Sequence, residues 1–159
     1  MKFFELENLS QGARIAFARK FKGLTQDEVS DKLGLTGESK RRTMARYERG
    51  DRNPKEDRLL EIANILNVNV NCIKEYNFNN NEDIIYSLLW LEELYPKINI
   101  DFAISEYFRN DRDNLILKFM EEWNYMRNLR KTHEITYEKY LEWKLNYIVK
   151  EGEEYERNN

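Results

Sequence analysis

Between residues 40 and 52 the chain gathers six basic side chains, Lys40, Arg41, Arg42, Arg46, Arg49 and Arg52, against two acidic ones, Glu48 and Asp51. Arginine presents a planar fork of N–H donors that can grip the O6 and N7 acceptors of guanine together. A charged run by itself is most simply a solvated helix face. The spacing adds a second feature. Met44 and Tyr47 stand three apart, about one helical turn, and form the side that a helix would bury. Lys40, Arg41, Arg42, Thr43 and Arg46 are then left for the outside. A recognition helix buries one side on its own domain and presents the other to the major groove, and within such a motif this outer face would make the contact. Arg41 and Arg42 are the first candidates for base contact, with Thr43 next.

Other chemistry finds little support. His133 is the single histidine and has no Cys/His cluster around it, so a metal site is not expected. Cys72 is the single cysteine, read as a small, semi-buried side chain. There is no Gly-rich phosphate loop and no Gly-x-Ser-x-Gly elbow. The carboxylate pairs Glu92-Glu93 and Glu121-Glu122 are adjacent on helices, so their side chains diverge and read as solvated faces. Neither enzymatic activity nor a cofactor is expected. The N-terminus lacks an apolar leader and no run approaches the ~18 residues that span a bilayer, so a cytoplasmic protein is expected.

The 159 residues carry a net charge of −3, unevenly spread. Residues 1–76 hold 15 Lys/Arg against 12 Asp/Glu, and residues 77–159 hold 11 against 17. A basic front and an acidic back suggest two units with different partners. With six glycines and two prolines, long helices are favoured over many strands.

The elements that must hold the basic run follow from capping and periodicity. Ser10 caps a first helix with Ile15, Ala16, Phe17 and Phe21 as its apolar face, ended by Gly23. Thr25 and Glu28 form a capping box for a second helix that Gly34 stops. The basic third helix lies between Gly37 and Arg49. Pro54 is expected at the first position of a fourth helix, which carries Leu59, Leu60, Ile62, Ala63 and Leu66. A short fifth helix runs from about Asn69 to Tyr76. Residues 77–81, Asn-Phe-Asn-Asn-Asn, are the linker candidate.

The stretch Leu24-Thr25-Gln26, the Leu33-Gly34 turn, Tyr47-Glu48-Arg49-Gly50 and Asn53-Pro54 occur in an order that resembles the phage-repressor-like (Cro/cI, or XRE) helix-turn-helix family. The resemblance covers residues 10–76 and implies a five-helix domain that reads double-stranded DNA. From Gly34 to Gly50 there are 16 steps, about four more than is usual. The extra residues fall around Thr36 to Lys40, as in a longer-turn subgroup that carries a helical C-terminal domain and is common in Gram-positive bacteria and their mobile elements. The family further implies phosphate contacts for Thr25, Gln26, Arg52 and Asn53, and a structural ion pair between Arg19 and Glu48. Phosphate contacts fix register and add affinity without reading sequence.

The expected fold class is therefore mainly α. A Cro/cI-type domain at 1–76 precedes a linker at 77–81, a smaller helical domain at 82–150 and a frayed acidic tail at 151–159. Fifteen of the 21 aromatic residues, including Trp90, Trp123 and Trp143, fall in the second half, where helical spacing makes them core. Ile98, Ile100, Phe102 and Ile104 alternate as a strand does, within a short strand or hairpin. With no second strand in view, these four are candidates for a dimer interface between two copies of the strand. The leading expectation is a homodimeric repressor on an inverted-repeat operator. The competing one is a protein-interaction or inhibitor module, antitoxin-like or phage anti-CRISPR-like, whose helix-turn-helix autoregulates its own gene.

Overall fold

The computed structural model of the chain describes residues 5–37, 39–96 and 115–150, the side chains of Ser39 and Arg41 excepted. The alternating segment at 98–104 and the tail at 151–159 lie outside the described residues. Helix α1 spans Gln11–Phe21, α2 Gln26–Lys32, α3 Ser39–Arg49, α4 Glu56–Leu66 and α5 Val70–Ile73. The second half contributes α6 at Asn81–Leu94, α7 at Leu115–Lys131 and α8 at Tyr137–Leu145. Among the described residues every regular element is a helix. None of these helices is long and apolar enough to cross a membrane.

Local chemistry accounts for the boundaries. Ser10 accepts the backbone N–H of Ala13 and starts α1, and Thr25 and Glu28 complete a reciprocal capping box on α2. Gly34 and Gly37 both take left-handed backbone, at φ 68 and 71, which lets the chain turn twice between α2 and α3. Helix α4 begins later than its proline suggested. Pro54 stands two residues before the helix, because the first hydrogen bond of the ladder runs from the Leu59 N–H to the Lys55 carbonyl. Helix α5 is also shorter than expected. Beyond Ile73 the carbonyls serve other groups: that of Lys74 accepts Arg14 Nη2 at 2.7 Å instead of a helical N–H.

One buried cluster runs through both halves of the chain. It joins Ile15 and Phe17 of α1, Met44 of α3 and Ile62 of α4 to Trp90 of α6, Phe119 and Trp123 of α7 and Tyr140 of α8. Phe17 and Trp90 meet edge to face at 5.3 Å, a geometry worth about 0.5–1.5 kcal/mol beyond area burial. The Cys72 carbonyl is the polar hinge of this junction. It accepts from Arg14 Nη1 at 3.3 Å, from the Tyr76 hydroxyl at 2.8 Å and from Trp90 Nε1 at 2.7 Å. The guanidinium of Arg14, 2% exposed, lies 3.8 Å above the Tyr76 ring, so cation–π contact and carbonyls replace a carboxylate partner there. The connection at 77–80 wraps the Asp83 carboxylate, which accepts the N–H groups of Asn77 and Phe78. After α8 the chain docks back on the front half: the Leu145 carbonyl accepts the Asn69 N–H, and that of Tyr147 accepts the Asn69 amide and the Tyr86 hydroxyl.

Candidate nucleic-acid interface

Helix α3 is set against α2 and α1 by its apolar side. Met44 is fully buried and Tyr47 is 6% exposed, while Arg42, Arg46 and Arg49 are exposed and Thr43 and Lys40 half-buried. Arg42 and Arg46 are four residues apart and therefore share one face, about a turn from each other. The chain leaves α3 through Gly50 at φ 77, and the Arg52 N–H folds back toward the Arg46 carbonyl at 3.4 Å. Arg49 is held by Asp51 at 2.7 Å.

The long turn before α3 is fastened at both ends. The Gly34 and Leu35 N–H groups return to the carbonyls of Asp31 and Ser30, closing the end of α2. Arg58 of α4 donates to the Leu33 carbonyl at 2.9 Å. At the far end the buried Ser30 hydroxyl donates to the Lys40 carbonyl at 3.1 Å. The Lys40 ammonium forms an ion pair with Asp31. The additional residues are thus shared between a two-glycine turn and the first turn of α3.

Behind this face lies a close approach that sequence reasoning missed. Gly12 of α1 packs on the end of α3. A Cβ there would lie 2.5 Å from the Glu48 carbonyl oxygen and nearer still to that of Tyr47. A glycine early in an amphipathic helix gives no warning of such a role, because the reason lies in a segment some 35 residues away.

Residues 12–82 match the family model described as a helix-turn-helix domain. The chain is similar to the HTH-type transcriptional regulator ImmR of Bacillus subtilis (strain 168), at 26% identity over 118 residues, 71% of this chain and 90% of that protein. Residues 12–82 are thus similar to a helix-turn-helix domain, and the two likenesses together support an XRE-type, phage-repressor-like regulator. No solved structure matches the chain.

Several of the polar residues singled out from the sequence are already engaged within the chain. Arg19 of α1 and Glu48 of α3 pair through two contacts, with Nε to Oε1 at 2.5 Å and Nη2 to Oε2 at 3.0 Å. Gln26, at the start of α2, donates its amide to the same Glu48 Oε2 at 2.7 Å. Thr25 is committed to the capping box. Asn53 donates to Glu75 at 3.0 Å, and Arg52 is exposed.

One reading of the sequence needs correction. Glu92 and Glu93 are not solvated faces. The Lys144 ammonium, 4% exposed, reaches Glu92 Oε2 at 2.9 Å and Glu93 Oε1 at 2.5 Å. Glu92 also accepts from the Tyr140 hydroxyl, Trp123 Nε1 and Arg127, and Glu93 accepts from the Tyr137 hydroxyl. Divergence of adjacent helical residues was sound as geometry, but one long lysine from α8 spans the gap. Glu92 titrates below the usual carboxylate range: burial would raise it, and Lys144, Tyr140 and Arg127 together outweigh that.

Proposed function

We propose that the protein binds double-stranded DNA sequence-specifically and represses transcription as a homodimer on an inverted-repeat operator. The observation that carries this is the division of α3, which buries Met44 and Tyr47 while Arg42 and Arg46 stand exposed on one face. A recognition helix needs that division, because its rigid seat on the domain aims the exposed side chains into the groove. Arg41, Arg42, Thr43 and Arg46 are the base-reading set; Lys40, expected from the sequence to join them, is turned to Asp31 at the leading end of α3 and stands outside the set. Thr25, Gln26, Arg52 and Asn53 face the phosphate backbone. The likeness to ImmR, which is named as a transcriptional regulator, supports the regulatory role. The helices at 82–150 are proposed to hold the dimer, through the segment containing Ile98, Ile100, Phe102 and Ile104. Selection from a random duplex library by the purified full-length chain tests the reading. A two-fold-symmetric motif with half-sites about one helical turn apart, ~34 Å, is expected. Recovery of no enriched sequence would overturn it.

A further inference from the structure

Resting on that reading, we propose that Asp31 is a specificity-determining residue of the DNA-binding face, acting through Lys40. Lys40 opens the recognition helix but is turned onto α2. Its N–H donates to the Gly37 carbonyl at 3.2 Å, its own carbonyl accepts the buried Ser30 hydroxyl at 3.1 Å, and its ammonium is paired with Asp31. Ser30 and Asp31 are consecutive, so one short piece of α2 holds both the backbone and the charge of Lys40. The lysine side chain is 28% exposed and that of the aspartate 60%, which leaves the carboxylate as the wetter, outer member.

A lysine ammonium is a mobile point charge that grips any phosphate it can reach. It therefore adds the same affinity to every sequence, and sequence-independent binding is almost wholly electrostatic. In a loose complex on a random sequence, an unpaired Lys40 would find a phosphate in many poses. Asp31 competes with those phosphates for the ammonium. In a specific complex α3 is seated by base contacts from its exposed arginines, and Lys40, pinned through its backbone, is not needed there. The pair thus weakens random binding more than operator binding, and it is a feature of the long turn, since Lys40 lies among the additional residues.

The test uses the full chain as wild type, Asp31→Asn, Lys40→Gln and the double variant. Each is titrated against the selected operator and a scrambled duplex of equal length at several salt concentrations. Asp31→Asn should tighten scrambled DNA about two- to fivefold, the range expected for an exposed ion pair, and operator DNA by less. The salt slope on scrambled DNA should steepen by about one phosphate contact. In the Lys40→Gln background Asp31→Asn should change nothing. Equal tightening on both duplexes, no tightening, or tightening that persists without Lys40 would each overturn the proposal while leaving DNA binding intact. A wild type that enriches no sequence and binds both duplexes alike would overturn the functional reading itself, and this inference with it. Unchanged thermal melting of Asp31→Asn shows that the readout concerns binding and not folding.

Discussion

Arg19 and Glu48 form a two-point ion pair between α1 and α3, with both side chains at most 10% exposed. The pair does more than join two helices. Arg19 Nη1 also donates to the Leu24 carbonyl at 2.6 Å, and Glu48 accepts the Gln26 amide. The start of α2, the end of α1 and the last turn of α3 therefore share one polar knot.

Removing one partner leaves the other charge buried and unpaired. Glu48→Ala should lower stability by ~3–5 kcal/mol, the cost of stranding Arg19. Because Gln26 loses its acceptor as well, affinity for DNA should fall on all sequences alike, with the selected motif unchanged. Thermal melting and library selection on the same variant check this. Normal melting with an altered motif would make Glu48 a base-reading residue instead.

Gly12→Ala should destabilise the chain by ~1–3 kcal/mol, although alanine is the better helix former. The added methyl would meet backbone carbonyls of Tyr47 and Glu48, which cannot swing aside as a side chain can. Urea denaturation reads the effect. Stabilisation would mean that α1 and α3 separate more readily than their contact implies.

On α3, Arg41→Ala or Arg42→Ala should cost ~1–3 kcal/mol of operator binding and relax preference at one base pair per half-site. Gln26→Ala and Arg52→Ala should instead weaken binding to every sequence. An unchanged motif and affinity in both arginine variants would remove them from the recognition surface.

The Glu92 carboxylate links stability to acid. Burial would raise its titration, but Lys144 and its other donors hold it below the ordinary carboxylate value in the folded chain. A depressed folded value means that the stabilisation is full above the unfolded value, ~4.3, and is lost as pH falls through the folded one. Denaturation between pH 7 and pH 3 should show a steep loss below about pH 4. Glu92→Gln should be weaker at neutral pH yet decline less steeply. Parallel curves for the two proteins would remove Glu92 as the source.

The full chain is expected to sediment as a dimer at tens of micromolar, and Ile100→Lys to convert it to a monomer with its helical circular dichroism intact. A monomeric wild type would dismiss the dimer. A dimer that survives Ile100→Lys would move the interface away from the 98–104 segment.

Much of the front half was legible because its information is local. The capping box at Thr25 and Glu28, the ends of α1 and α2, and the buried Met44 and Tyr47 all follow from neighbours within a turn of helix. The same local rules placed the start of α4 two residues early, since Pro54 is compatible with the approach to a helix as well as with its first position. The basic face of α3 was legible for a similar reason: a period of 3.6 separates Arg42 and Arg46 from the residues that must be buried.

What the tertiary structure alone decided are the contacts between distant segments. No spacing rule could join Glu92 and Glu93 to Lys144, some fifty residues on, nor bring Gly12 against the end of α3, nor gather Arg14, Tyr76 and Trp90 on the Cys72 carbonyl. A change of composition near residue 77 marks a boundary in sequence, yet Phe17 packs on Trp90 across it. The physical reason is common to all of these. Helix periodicity says which face is hidden, but only the packed core determines which distant carboxylate, carbonyl or ring lies against it, and a buried charge takes its character from that neighbour.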